Sequence, residues 1–167
     1  RPGLSPVYLL CGDETLQLRD ATQTLRSAAR RTGLGERLVL EQDALFDWGR
    51  LTAATDNLSL FASRRLIELR ITTSKLGRDG NAAVRDYCAR PSQEDRLLIL
   101  APMLERKELK SAWALAVDRL GVVLQVAALS GPALIAWVED RLRRAGFEPA
   151  PGVAALLAER AEGNLLA

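Results

Sequence analysis

Apolar residues along this chain switch repeatedly between a spacing of two and a spacing of three to four, and the switches lay out strands alternating with helices. Val7-Tyr8-Leu9-Leu10 is a short apolar run with β character, ended by Gly12-Asp13. Asp13 is placed to cap a helix from Glu14 to about Arg31, with Leu16, Ala21, Leu25 and Ala28 inward and Gly33 and Gly35 as its stop. Arg37 to Leu40 reads as a second strand. From Asp47, as N-cap, to Leu58 the spacing predicts a short helix with Trp48, Leu51, Thr55 and Leu58 on one stripe. Arg65 to Ile71 alternates as a strand that sends Ile67, Leu69 and Ile71 inward. Thr72 to Gly80 is a polar loop, and Asn81 to Arg90 a helix ending before Pro91. The nearly continuous apolar run Arg96-Leu97-Leu98-Ile99-Leu100 marks a strand buried on both faces. Lys107 to Leu120 reads as a helix with Trp113, Ala116, Val117 and Leu120 inward, and Val122 to Val126 as a last strand.

Strands and helices in this order call for an α/β fold, a parallel sheet covered by helices on both faces with right-handed crossovers. Ala127 to Gly131 is a hinge, after which the pattern is helical only: Pro132 to Arg144, then Gly152 to Ala161. Pro132 and Pro151 both stand where a helix start tolerates proline. Asn164-Leu165-Leu166-Ala167 is an apolar helix start with no helix after it, so the chain is expected to be a fragment whose second unit is cut short.

Bulk composition narrows the chemistry. The 167 residues suffice for one sizeable core and a small second unit, and 48% apolar with 26% charged residues is ordinary for a globular protein. There is no histidine, and Cys11 and Cys88 form no metal-spaced cluster. That removes the usual zinc sites, histidine bases and Ser/His or Cys/His nucleophile pairs. No apolar run is long enough to cross a bilayer and no signal peptide opens the sequence, so no membrane role and a cytoplasmic location are expected. Net charge is only +2, which sets up no strong field for nucleic acid. Of the 23 basic residues only Lys75, Lys107 and Lys110 are lysines, a bias of coding composition before any function. Local clusters at Arg64-Arg65 and at Arg141, Arg143 and Arg144 are solvated surface or secondary DNA-phosphate contacts.

The strand–glycine–helix passage at Gly12 is where a phosphate-binding loop would lie. Such a loop needs GxxxxGK[ST], whose backbone N–H groups wrap the phosphates while lysine neutralises them. Here Asp13-Glu14-Thr15-Leu16-Gln17-Leu18 follows, without a second glycine or a lysine. Two carboxylates occupy the helix start, satisfy its dipole and repel a phosphate. After the strand ending at Leu100 comes Ala101-Pro102-Met103, with no Asp-Glu pair for magnesium and water. No nucleotide cofactor and no catalysis are expected.

One short stretch has apolar side chains without an obvious internal partner: Asn57-Leu58-Ser59-Leu60-Phe61. Continuing the preceding helix would put Leu60 about 200° round from Leu58, on the opposite face. The following strand already supplies its own core residues. Leu60 and Phe61 therefore either close the local core or form an anchor that fills another protein's pocket.

Ser59-Leu60-Phe61-Ala62-Ser63-Arg64-Arg65, the Val7–Gly12 strand and turn, the Asp95–Leu100 strand and the closing Glu162-Gly163-Asn164-Leu165-Leu166 together resemble the delta subunit of the bacterial DNA polymerase III clamp loader. The resemblance covers essentially the whole chain. It implies a RecA-like, AAA+-like domain at 1–128 with a degenerate nucleotide site and an incomplete helical lid domain at 129–167. The family's collar domain would be absent. It further implies a clamp-loader subunit that binds the sliding β clamp and opens its ring for loading onto primed DNA, within a DNA-directed DNA polymerase (nucleotidyltransferase) holoenzyme. Leu60 and Phe61 would be the plug, with Leu58 and Ser59 leading in and Asn57 standing where many clamp-binding peptides prefer glutamine. Implied partners are the β clamp, the gamma/tau and delta prime subunits and, indirectly, primed DNA. Two other readings stand beside it: a non-catalytic nucleic-acid-binding module using the arginine clusters, and a P-loop-like enzyme whose active groups come from elsewhere.

Overall fold

The structure, a computed structural model, describes residues 3–56, 64–161 and 165. It comprises two compact units, residues 1–126 and 127–167. In the first unit five strands, β1 (Val7–Gly12), β2 (Glu36–Glu41), β3 (Arg65–Arg70), β4 (Arg96–Ala101) and β5 (Val122–Val126), form one parallel sheet in the order β2-β3-β4-β1-β5. Five helices accompany them: α1 (Thr15–Arg31), α2 (Gly49–Asp56), α3 (Gly77–Ala89), α4 (Arg106–Leu109) and α5 (Ala112–Leu120).

Because strand side chains alternate, the sheet has two apolar faces and each selects its own helices. On one face Val7, Leu9, Ile67, Leu69, Leu97 and Ile99 pack with Leu51 of α2, Val84 and Tyr87 of α3 and Trp113 and Val117 of α5. On the other, Leu10, Leu66 and Leu98 meet Ala29 of α1, with Leu18, Ala21 and Leu25 half-buried beside them. Each of these side chains, fully buried, contributes about 1.5–3 kcal/mol relative to exposure, so the central strands fix the sheet.

Among the described residues the predicted elements are present, the helix predicted at 47–58 as α2 from Gly49 with its predicted end at 57–58 outside them, and there are four differences of local chemistry. The first helix is capped by Glu14 and not by Asp13: it begins at Thr15, and the Glu14 carboxylate just before it accepts from the Leu16 and Gln17 N–H groups. The helix predicted from Asn81 begins at Gly77, inside the segment read as polar loop. Gly80 belongs to that helix because a Cβ there would lie 2.5 Å from Cζ2 of Trp48, so glycine marks the close approach of a ring to a helix. The helix predicted at 107–120 is broken into α4 and α5 around Lys110-Ser111. β3 is buried on both faces, Glu68 included at 0% exposure, where alternation had suggested an outward polar side.

α1 ends in a Schellman arrangement: Gly33 takes φ +90° and Leu34 N–H donates to the Ala29 carbonyl at 3.0 Å. The second unit pairs α6 (Gly131–Arg144) with α7 (Val153–Ala161), burying Leu134, Ala154 and Ala158. Pro132 sits in the first turn of α6, as its missing N–H allows.

Candidate interaction site

The proposed plug, Asn57, Leu58, Ser59, Leu60 and Phe61, lies outside the described residues. Its two flanks are described and are pinned to the amino end of the sheet. The backbone N–H of Arg65 donates to Asp95 Oδ1 at 2.9 Å, and its guanidinium Nη2 donates to Asp95 Oδ2 at 2.9 Å. The same Nη2 reaches back to the Ala54 carbonyl in the last turn of α2 at 2.8 Å. A cation at a helix C-terminus suits both the orphan carbonyl and the dipole. Asp95 is itself held by its N–H donating to Ser92 Oγ at 2.9 Å and is only 5% exposed. The hydrogen bond to Asp95 raises the Arg65 pKa further above its ordinary value, against the opposing pull of burial. Next to it Arg64 Nη1 donates to the Thr32 carbonyl at 3.1 Å, and its Nε lies 3.2 Å from Glu94 Oε2. The residues before and after 57–63 are thus tied together through one guanidinium.

These contacts also redistribute the predicted arginines. Arg65 has protein acceptors on two sides, Asp95 and the Ala54 carbonyl. Arg64 keeps 40% of its side chain exposed while paired. In the second unit Arg141 lies over the Trp137 ring at 5.3 Å. Arg143 pairs with Glu139 at 2.9 Å and Arg144 with Asp140 at 2.7 Å. Each of these last two cations has a carboxylate one turn away, which reduces the local positive field.

The passage from β1 to α1 is occupied by protein groups. Glu14, 8% exposed, accepts from Leu16 N–H at 3.2 Å through Oε1 and from Gln17 N–H at 2.6 Å through Oε2. The donors that would hold a phosphate at a helix start thus already hold a carboxylate. Beyond β4, Gln125 Nε2 donates to the Leu104 carbonyl at 2.8 Å, closing the neighbouring strand end with an amide. Among the described residues no cluster of three His, Cys, Asp or Glu could bind a metal. Burial raises both thiols, Cys88 to about 11 and Cys11 in spite of a backbone hydrogen bond from Leu104, so neither is a reactive thiolate.

Sequence reasoning missed a buried charge cluster on the α1 face. Glu68 accepts from Arg26 Nε at 3.0 Å and Nη2 at 2.7 Å, and from Arg70 Nε at 2.9 Å. Arg70 also donates to Glu41 at 2.7 Å. Burial pushes the Glu68 carboxyl up, but the arginine hydrogen bonds outweigh it and hold the group below the usual range. The one signal in the sequence was a glutamate inside an apolar strand. One partner, Arg70, stands two residues on in the same strand, while the other, Arg26, is far away along the chain.

The family model for the DNA polymerase III delta subunit matches residues 8–126. The chain is 27% identical over 99% of its length to DNA polymerase III subunit delta of Escherichia coli, spanning 48% of that protein. It is 30% identical over 41% of its length to the Haemophilus influenzae subunit delta. It thus spans about half the length, or less, of these curated relatives. Among solved structures it superposes on the Bacillus subtilis DNA clamp loader delta protein with TM-score 0.68 at 16% identity, covering 98% of this chain and 50% of that one. Thermotoga maritima RuvB follows at TM-score 0.55 and 16% identity, covering 95% of this chain and 50% of RuvB. The fold is AAA+-like.

Proposed function

The chain belongs to the DNA polymerase III delta-subunit family, and from that premise we propose that it is the part of a clamp-loader subunit that grips the sliding β clamp and opens its ring for loading onto primed DNA. Leu60 and Phe61 fill a clamp pocket, led in by Asn57, Leu58 and Ser59. The observation that supports this reading is the Arg65 tie to Ala54 and Asp95. A segment whose ends are already fixed has less freedom to lose when a partner orders it, so more of the contact energy appears as affinity. Ring opening then needs only that the segment bind a distorted clamp edge better than the closed one.

Residues 1–128 act as a RecA-like scaffold that hydrolyses no nucleotide, consistent with the Glu14 carboxylate at the helix start where a phosphate would sit. Residues 129–167 belong to the helical lid domain. ATP chemistry falls to other clamp-loader subunits, gamma/tau with delta prime, and the work is done in the cytoplasm. The test is co-elution with the cognate β clamp: Leu60→Ala/Phe61→Ala should keep its far-ultraviolet circular dichroism and lose the clamp. A folded double variant that still co-elutes would overturn the assignment.

A further inference from the structure

A cavity of about 400 Å³ opens between the C-terminal half of α1 and the start of β2, lined by Gln23, Arg26, Arg30, Leu34, Arg37 and Leu66, among others. Three guanidinium groups from two elements share its wall. Arg26 commits Nε and Nη2 to Glu68. Arg37 Nη1 stands 3.6 Å from Glu68 Oε2, beyond hydrogen-bond length. Arg30 is exposed and has no side-chain partner among the described residues. Nor does the end of α1 need it: the carbonyls of Ala28, Ala29 and Arg30 already accept from Thr32, Leu34 and Gly33 N–H groups.

The charge around this crevice does not balance. Arginines 26, 30, 37 and 70 stand against glutamates 36, 41 and 68, leaving one positive charge over. Glu68 already accepts from Arg26 and Arg70, and Glu36, which also lines the cavity, forms no ion pair with Arg30 or Arg37 among the described residues. Glu68 takes the fork of Arg26 and one N–H of Arg70, both in reach of its two oxygens, and leaves Arg30 and the nearer end of Arg37 without a hydrogen bond to it. Three guanidinium groups on the walls of one cavity suit an oxyanion with oxygens in several directions.

We infer that the α1–β2 crevice binds a phosphate group through Arg30 and Arg37, with Arg26 as the positioned third cation. The phosphate comes from a nucleic-acid backbone or from a small phosphorylated molecule, and the two sources are separable. The protein is titrated at low salt with inorganic phosphate and, separately, with a single-stranded oligonucleotide. Arg30→Gln/Arg37→Gln raises the dissociation constant at least tenfold for whichever probe binds. For an oligonucleotide it also lowers the salt slope by about 1–2. Arg30→Gln alone, at an exposed side chain with no partner among the described residues, weakens binding without moving the unfolding midpoint. Arg31→Gln, an equal charge loss on a residue outside the cavity lining, leaves binding unchanged.

Binding of the oligonucleotide alone identifies a backbone phosphate, and binding of inorganic phosphate alone a small ligand. The inference is overturned if neither probe binds, if Arg31→Gln weakens binding as much as Arg30→Gln, or if a polyglutamate peptide binds more tightly than either probe. The last result would give the crevice to an acidic protein. None of these outcomes depends on clamp binding.

Discussion

Asp95 holds Arg65 by both its backbone and its side chain, Oδ1 taking the N–H at 2.9 Å and Oδ2 the guanidinium at 2.9 Å. One carboxylate just before β4 therefore sets where β3 begins. Asp95→Ala leaves an N–H and a mostly buried guanidinium without their acceptor. Removing one partner of a buried pair costs about 3–5 kcal/mol, and with Arg65 19% exposed about 2–4 kcal/mol is expected here. Urea unfolding should show a lower midpoint with an unchanged slope. Arg65→Ala/Asp95→Ala should lose less than the sum of the single changes, because the pair acts as a unit.

Clamp affinity carries its own magnitude. Burying a leucine and a phenylalanine contributes about 1.5–3 kcal/mol each, so Leu60→Ala/Phe61→Ala should weaken clamp binding by about 10²- to 10⁴-fold. Surface plasmon resonance on immobilised clamp reads the difference, and a loss below tenfold would place the grip elsewhere.

Glu68 predicts an acid-sensitive fold. Its folded pKa is depressed, while the unfolded carboxyl titrates near about 4.3. The stabilisation is thus fully present above that unfolded value and is lost as pH falls through the lower folded one. At neutral pH Glu68→Gln leaves Arg26 and Arg70 without their buried counter-charge and costs about 3–5 kcal/mol. Measured from pH 7 to pH 3, the gap between wild type and variant should narrow toward the acid end. A gap that stays constant would remove Glu68 as its source.

Glu14 can be separated from its neighbour Asp13. Glu14→Ala removes the α1 cap and should cost about 0.5–2 kcal/mol, while Asp13→Ala changes stability by less than about 0.5 kcal/mol. Thermal melts of the two variants decide between them. Equal losses would show that the cap contacts contribute nothing.

Gly80 tests the packing of α3 on Trp48. A Cβ at that position meets the Trp48 ring at 2.5 Å and Leu76 Cβ at 2.8 Å, so Gly80→Ala should destabilise by about 1–3 kcal/mol in spite of alanine's better helix propensity. Gly80→Ala/Trp48→Leu should recover part of that loss. A single variant more stable than wild type would mean that the ring moves aside without cost.

The order of strands and helices was legible because hydrophobic period is local: Leu97-Leu98-Ile99 announces a strand buried on both faces whatever lies around it. The missing phosphate loop was legible for the same reason, since glycine and lysine spacing within a few residues decides it. Leu60 and Phe61 were singled out by what their neighbours did not need, and they lie outside the described residues. Local rules failed where a distant group was decisive. Gly80 looked like loop because its reason is Trp48, and the outward side of β3 looked polar because the partner of Glu68 is Arg26 on another element.

Strand–helix order was settled by residues close together along the chain. Which cation meets which carboxylate was settled only by the sheet, which sets β3 between β2 and β4. That pairing brings Arg65 to Asp95, Arg26 to Glu68, and Arg30 and Arg37 to one crevice. Charge pairing acts through space over a few ångströms, and sequence separation carries no information about it until the chain has folded.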